Sequence, residues 1–596
     1  MIDVRNITME YSKEIDQILI EANEIIKHDN FVFNGIWDME PCLIPYKNDK
    51  KWNKVYNNDP EWTYMFNRMD YLYKLVYAYE ITGNILYLNY GISMINDWMK
   101  RHTKKGLIKK SYVFRKINYR STRTLDTSIM IVNITDFLMY CNKIPNYNTK
   151  KYEMIENISG IIQYILDGDN EFKTKSNWGL IENLNILYCS NIVDIKIDKN
   201  RLYDRLQKQF ETQFLNDGSH IESSPMYLVQ IVLCILKSIE FSKDRFYSLL
   251  KCYLIKSLNY LIDIRTPDNN IPNFGDSDLT NISDVMILSS ILLFDKIYLN
   301  YANKKLDLEF YYKYNINQLC TDLTYVEERM GIIELEQQMI ITDKINDVYL
   351  LCNNTKRFSG HKHYDYLSFI LYFNRNPFFI DCGRYTYVNE NNREIYVGPS
   401  GHNTVIINNK HYQYLDSWCV DEKISKTYIK KDSYKSVEYI EMTVLFSDKS
   451  KIIRYFIYDD TVGLIIFDRC YSINNNYKAF FNLQKKCKIQ FKEDYYEIYN
   501  DSDSIFFKSY RLKAKILKRN ASNKYNEEFE INQFVFEGRV DSNIYLIQFE
   551  YKFKNNIKIF EELFDDYKKL LENYNIHNLC ENVEKFKEGY EYEIYK

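Results

Sequence analysis

The apolar residues of this chain change period part-way along it, and that switch limits the possible folds more than any other feature. Between about Trp62 and Tyr301 they recur every three or four positions, as in Met69-Leu72-Leu75-Val76-Tyr79 and Ile131-Ile134-Phe137-Leu138, the pattern of helices with one apolar face. The pattern predicts helices over Thr63–Ile81, Ile85–Arg101, Leu125–Cys141, Lys151–Leu166, Leu180–Ser190, Arg201–Leu215, Met226–Phe241, Phe246–Ile264 and Ser283–Leu299. Thr82-Gly83-Asn84 reads as a helix cap and turn. Amphipathic helices with short connections pair antiparallel. After about Asp322 the period becomes that of strands: Val348–Leu351, Leu367–Phe373, Phe378–Asp381, Thr404–Ile407, Tyr439–Phe446, Ile452–Tyr458 and Val462–Phe467 are β-branched and aromatic runs separated by Asn, Asp and Lys. Such strands suit an antiparallel sandwich. The expected division is a helical domain over 1–320, with a mixed segment over 1–60, and a β-domain over 321–596 with a helical segment over 557–574.

A formal net charge of −3 over 596 residues argues against nucleic-acid binding by bulk charge. With 17 Gly and 9 Pro the chain is neither fibrous nor low-complexity. Its 12 cysteines form no CxxC, and a chain this long needs no disulfides to build a core. They read as free, mostly buried thiols in a reducing compartment. No basic stretch followed by an apolar one opens the chain, and Tyr227–Leu236, the strongest apolar run, is too short to span a bilayer. The expectation is a soluble, cytoplasmic protein without membrane association, or a periplasmic or secreted one that has lost its leader.

Four of the 8 histidines lie between His361 and His411. In Gly360-His361-Lys362-His363-Tyr364-Asp365 two imidazoles stand at i and i+2, and on an extended backbone they can project to one side. Asp381 and His402 follow on neighbouring predicted strands. Two neutral imidazoles and a carboxylate suit Zn²⁺; the bland alternative is separate strand-end histidines satisfied by backbone carbonyls. Asp217-Gly218-Ser219-His220-Ile221-Glu222-Ser223-Ser224-Pro225-Met226-Tyr227 is a turn leading into a helix, which places Tyr227 in its first turn. Among 56 tyrosines, however, any one is by default a packing residue. Ser176-Asn177-Trp178 precedes a helix, and Asn177 reads locally as its N-cap. No GxGxxG, Walker A, HExxH or GxSxG is present, so no organic cofactor is expected.

Taken together these motifs resemble the heparinase II/III family of polysaccharide lyases, its heparinase III-like branch above all. Asp59-Pro60-Glu61-Trp62 with Asn67-Arg68, Arg123-Thr124-Leu125-Asp126, Ser176-Asn177-Trp178, the Asp217–Tyr227 run, Pro272-Asn273-Phe274-Gly275-Asp276-Ser277-Asp278, the Gly360–Ser368 run and His402-Asn403-Thr404 carry the resemblance, over about residues 59–410. It implies an N-terminal α/α toroid, a C-terminal antiparallel β-sandwich and a substrate cleft between them. It further implies β-elimination on a uronic-acid-containing, heparan-sulfate-like polysaccharide, with Asn177 neutralising the carboxylate, Tyr227 as acid and His361 as base. His363, Asp381 and His402 correspond to the family's structural metal site, expected to hold Zn. Arg68, Arg123, Trp178 and Glu222 fall at substrate-binding positions. Some members have His where this chain has Trp178, so a second imidazole base is absent. A polysulfated substrate calls for a basic cleft, to which Arg68, Arg120, Arg123, Arg384 and Arg393 could contribute. Alginate or a capsular uronan is the alternative substrate, and a non-catalytic carbohydrate-binding protein the alternative class.

Overall fold

The computed structural model describes residues 10–102, 120–145, 147, 151–193, 195–316, 331–345, 347–355, 360–388, 390–410, 424–473, 475–492, 494–549, 576–581 and 583–584. The chain forms two units: Met1–Glu222, Met226–Ile262 and Thr280–Glu327 make one, and Ser223–Pro225, Asp263–Leu279 and Glu328–Lys596 the other. The chain therefore crosses between the units several times.

The first unit is an α/α toroid, with long helices such as Thr124–Cys141, Asn177–Ile192 and Pro225–Ile239 following one another. Asp59 caps the helix Pro60–Arg68, its carboxylate accepting the Glu61 N–H at 2.9 Å with Pro60 in the first turn. The single helix expected over Thr63–Ile81 is in fact two, Pro60–Arg68 and Leu72–Thr82, because Met69 takes a left-handed conformation at φ 56°. That conformation costs about 1–2 kcal/mol, offset by complete burial of the Met69 side chain, which no local pattern announces. Likewise the helix expected to run to Leu299 stops at Leu293, where Phe294 is left-handed. The mixed N-terminal segment contains a helix, Ser12–His28, and the hairpin Asn30–Phe33/Cys42–Lys47. Lys74 reaches back to Glu21 of this segment in a buried ion pair at 2.6 Å.

The second unit is an antiparallel β-sandwich. Its largest sheet has eight strands, in the order Ile424–Tyr434, Val437–Phe446, Lys451–Asp459, Gly463–Tyr471, Ser542–Phe549, Asp503–Ser509, Tyr495–Asn500 and Lys488–Lys492. A four-stranded sheet (Val405–Ile407, Asn476–Asn482, Glu527–Arg539, Ala514–Lys524) and a five-stranded one, Gly331–Glu334 to Asn376–Phe379, share its apolar core, in which Phe369, Phe379, Phe481, Phe507 and Phe536 meet. All the expected strands form, with ends that differ by up to four residues; Gly331–Glu334, Gln338–Asp343, Ile424–Tyr434 and the strands after Cys470 escaped the sequence pattern. Ala514–Lys524 shows why: it is an edge strand in which only Ala521 and Ser522 are buried. Wholly buried Arg454 forms a two-pronged ion pair with Asp468 at 2.6 and 2.8 Å and donates to the carbonyls of Leu367 and Asn403, both at 2.8 Å. It thereby ties the segments that follow His363 and His402 to the large sheet. The helical segment expected over 557–574 lies outside the described residues, as does His411. No helix among the described residues is long and apolar enough to cross a membrane.

Candidate active site

In the sandwich unit two of the candidate side chains, His361 and His363, gather on one carboxylate. Asp276 accepts His361 Nδ1 at 2.8 Å, His363 Nε2 at 2.9 Å and Arg393 Nη2 at 2.8 and 2.9 Å on its two oxygens. Burial alone would raise the Asp276 pKa; Arg393 and the two histidines outweigh it and hold the carboxyl well below the usual range. An ionised carboxylate only accepts. His361 therefore bears a hydrogen on Nδ1 and His363 one on Nε2, an assignment made from the hydrogen bonds. Burial pushes the His363 pKa down to about 4, so this ring is neutral.

The loop that presents Asp276 is pinned along its length. Asn273 Nδ2 donates to the carbonyl of Asp381 at 3.2 Å, and Asp278 pairs with wholly buried Arg384 at 2.8 and 3.0 Å. A second histidine–carboxylate pair, His402 Nδ1 to Asp381 Oδ2 at 2.6 Å, lies beside the first, with the rings of His363 and His402 5.4 Å apart. Asp381 Oδ1 accepts the Gly383 N–H at 2.9 Å.

In the toroid, Ser176 occupies the N-cap position and Asn177 the first helical one, so the reading of Asn177 as N-cap is corrected. Its backbone N–H is satisfied instead by the Glu222 carboxylate at 2.9 Å, an anion placed where the helix dipole favours one. The Asn177 side chain is consequently left over: its oxygen is buried and makes no hydrogen bond. The Asp217–Glu222 run is shaped to deliver Glu222. Asp217 Oδ1 accepts the Ser219 N–H and hydroxyl at 2.9 and 2.6 Å. Gly218 stands at φ 90°, where a Cβ would come within 2.3 Å of the Lys256 backbone. His220 Nε2 meets Gln213 Oε1 at 3.0 Å, and Gln213 Nε2 donates to the carbonyls of Thr174 and Ser176 at 2.8 and 3.0 Å. Tyr227 is buried in the first turn of the helix Pro225–Ile239.

The basic residues expected to meet substrate are paired with carboxylates. Arg68 donates to Asp126 at 2.9 Å and lies 3.8 Å from Glu40. Arg123 pairs with the same Asp126, lies 3.7 Å from Glu61, and stacks 3.3 Å above the Tyr64 ring and 5.0 Å from Trp178. With Arg384 on Asp278 and Arg393 on Asp276, four of the five arginines offered for a basic cleft are neutralised by carboxylates. Among the described residues no three His, Cys, Asp or Glu side chains are grouped as a ready chelate. Neutral His363, whose Nδ1 is buried with no hydrogen-bond partner, has the chemistry of a metal donor, while Asp381 and His402 are bonded to each other.

Residues 3–299 match the family model described as heparinase II/III N-terminus, and residues 343–559 the one described as heparinase II/III-like, C-terminal. The chain belongs to the heparinase II/III family of polysaccharide lyases. Solved structures agree on the fold. One titled heparinase III superposes with a TM-score of 0.70 at 14% identity, over 89% of this chain and 84% of that one. A heparan sulfate lyase of Pedobacter heparinus gives 0.62 at 15% identity, over 90% and 82%. The chondroitin AC lyase of Streptomyces coelicolor A3 gives 0.54 at 8% identity, over 90% and 79%. A search of curated proteins found no match. Within a heparinase II/III-like sandwich, sequence reasoning had found His361 and His363 but assigned no role to the residue that joins them. The signal was present in Asn273-Phe274-Gly275-Asp276, where a glycine directly precedes an acid in a loop.

Proposed function

We propose that this chain cleaves a uronic-acid-containing polysaccharide of the glycosaminoglycan class by β-elimination. The C5–H proton goes to a base, the C5–H electron pair forms the C4–C5 double bond, and the C4–O4 bond breaks as O4 takes a proton from an acid. His361 is the base: its bond to Asp276 puts the lone pair on Nε2, and neutral imidazole suits proton transfer near neutral pH. Tyr227 is the acid. Asn177 hydrogen-bonds the uronate carboxylate and the enolate charge that grows on it, a stabilisation exerted mainly in the transition state; its side-chain amide, spent on nothing else, is suited to that. The observation that carries the reading is the His361–Asp276 pair, in a chain whose family is a lyase family.

The neutralised arginines favour a uronan of low sulfation over a polysulfated one. A uronan panel graded in sulfation, followed by the ultraviolet absorbance of the unsaturated uronate, tests this. Turnover should be highest on the least sulfated chains; turnover confined to the most sulfated overturns the preference, and none on any member overturns the lyase reading.

A divalent ion, Zn²⁺ by its donor chemistry, would be held by His363 Nδ1, Asp381 and His402. It would supply structural cross-linking near His361 and no step of the elimination. His363→Ala should lower bound metal and thermal stability together; metal-free native protein of full stability contradicts this.

A further inference from the structure

We propose that Asp276 is the positioning residue of this site: by accepting a proton-bearing nitrogen from each of two histidines, it fixes both tautomers at once. His361 is left with its lone pair on Nε2, as a base, and His363 with its lone pair on Nδ1, as a ligand nitrogen. The inference rests on the reading of His361 as base and adds what makes that base competent.

Three observations carry it. Each Asp276 oxygen serves a different ring, Oδ2 that of His361 and Oδ1 that of His363. Arg393 Nη2 touches both oxygens, at 2.9 and 2.8 Å, so rotation of the carboxylate away from either ring breaks a charged hydrogen bond. The backbone holds the same register, since the Asp276 N–H donates to the His361 carbonyl at 2.9 Å and Ser224 Oγ donates to the Asp276 carbonyl at 3.0 Å. This approach requires glycine at 275. At φ 58° a Cβ there would stand 2.7 Å from the His361 oxygen and 2.8 Å from that of Ser223.

A neutral amide cannot replace this carboxylate. Asp276→Asn keeps the volume but offers one acceptor and one donor group, so at least one of the two rings must exchange its tautomer or lose its bond.

The test is a double-mutant cycle in the full-length protein, assayed on the best substrate of the uronan panel. Asp276→Asn should lower kcat by about 10²–10⁴-fold and move KM by less than about threefold, because the lost interaction is with the base and not with the sugar. In a His361→Ala background the same substitution should change kcat by less than about threefold, as expected of residues acting as one unit. Arg393→Gln, at a position nearer solvent, frees the carboxylate to turn and should lower kcat about tenfold, again only when His361 is present. Wild-type kcat in folded Asp276→Asn, or losses that multiply fully with His361→Ala, overturn the proposal. Should Asp276→Asn fail to fold, Arg393→Gln decides by the same criteria. Wild-type turnover in His361→Ala is a different result: it removes the base assignment itself.

Discussion

The two units hold their candidate groups in opposite ways. In the sandwich, His361 is held through its side chain by Asp276, and that carboxylate is in turn held by Arg393 and His363. In the toroid, Asn177 is held through its backbone by Glu222, while its side-chain oxygen has no partner. A group that moves a proton must have its tautomer and basicity fixed by a neighbour. A group that only hydrogen-bonds a substrate is better left unspent, since every internal bond would compete with the one it must make. Buried carboxyls follow a related logic. Asp276 and, in the toroid, Asp126 are held low because cations face them. Asp284, whose burial outweighs its hydrogen bonds, is pushed up to about 7.

The largest expected effect is Tyr227→Phe. Loss of one oxygen should lower kcat by about 10²–10⁴-fold, while stability changes by no more than a hydrogen bond's worth, about 0.5–1.5 kcal/mol. Kinetics paired with a thermal melt check it, and a folded variant with unchanged kcat removes Tyr227 from the chemistry.

Next comes Arg454→Met in the sandwich. It strands Asp468 and frees the Leu367 and Asn403 carbonyls, so denaturation should show a loss of about 3–5 kcal/mol, with activity falling as the site loosens. Asn177→Ala sharpens the contrast from the toroid side. It should cost about 10²–10³-fold in kcat and almost nothing in stability, because no internal hydrogen bond is lost. A marked drop in melting temperature would show that the amide is structural after all.

The smallest effect is a pH dependence in the toroid. Asp284, at the start of the helix Ser283–Leu293, has its pKa raised from 3.8 to about 7, burial being the main cause. The folded state therefore holds this proton more tightly than the unfolded chain. Its contribution to stability is complete below about pH 4 and is lost as pH rises through about 7. Asp284→Asn keeps an acceptor for the Asp307 N–H and removes the charge. It should flatten that decline and stabilise the protein above pH 7 by about 1–3 kcal/mol. Parallel melting curves for wild type and variant across this range would contradict the assignment.

Much of this was legible in the sequence because it is written locally. The change of hydrophobic period gave the order of helical and β-domains, the family resemblance the toroid, and the Gly360–Ser368 and Asp217–Tyr227 runs the candidate groups. What stayed hidden depends on residues far apart in the chain. Met69, wholly buried, breaks a helix by turning left-handed, which its sequence neighbours do not announce. Asn177 is the first helical residue and not the cap, its N–H met by Glu222, 45 positions away. The arginines look like a basic cleft until their carboxylate partners, such as Asp126 for Arg68, 58 positions away, are seen. The strands after Cys470 include exposed edge strands with too little apolar alternation to read.

The claim beneath all of these is elimination, and one measurement meets it directly. The full-length protein is incubated with a low-sulfated uronan in heavy-oxygen water and the products are weighed by mass spectrometry. Elimination adds no water: each cut should yield one fragment whose new non-reducing end is an unsaturated uronate, lighter by one water than its hydrolytic counterpart, with no heavy oxygen beyond the slow solvent exchange of the new reducing end. Cuts that leave no unsaturated uronate and take up one heavy oxygen each would identify a hydrolase and contradict the account.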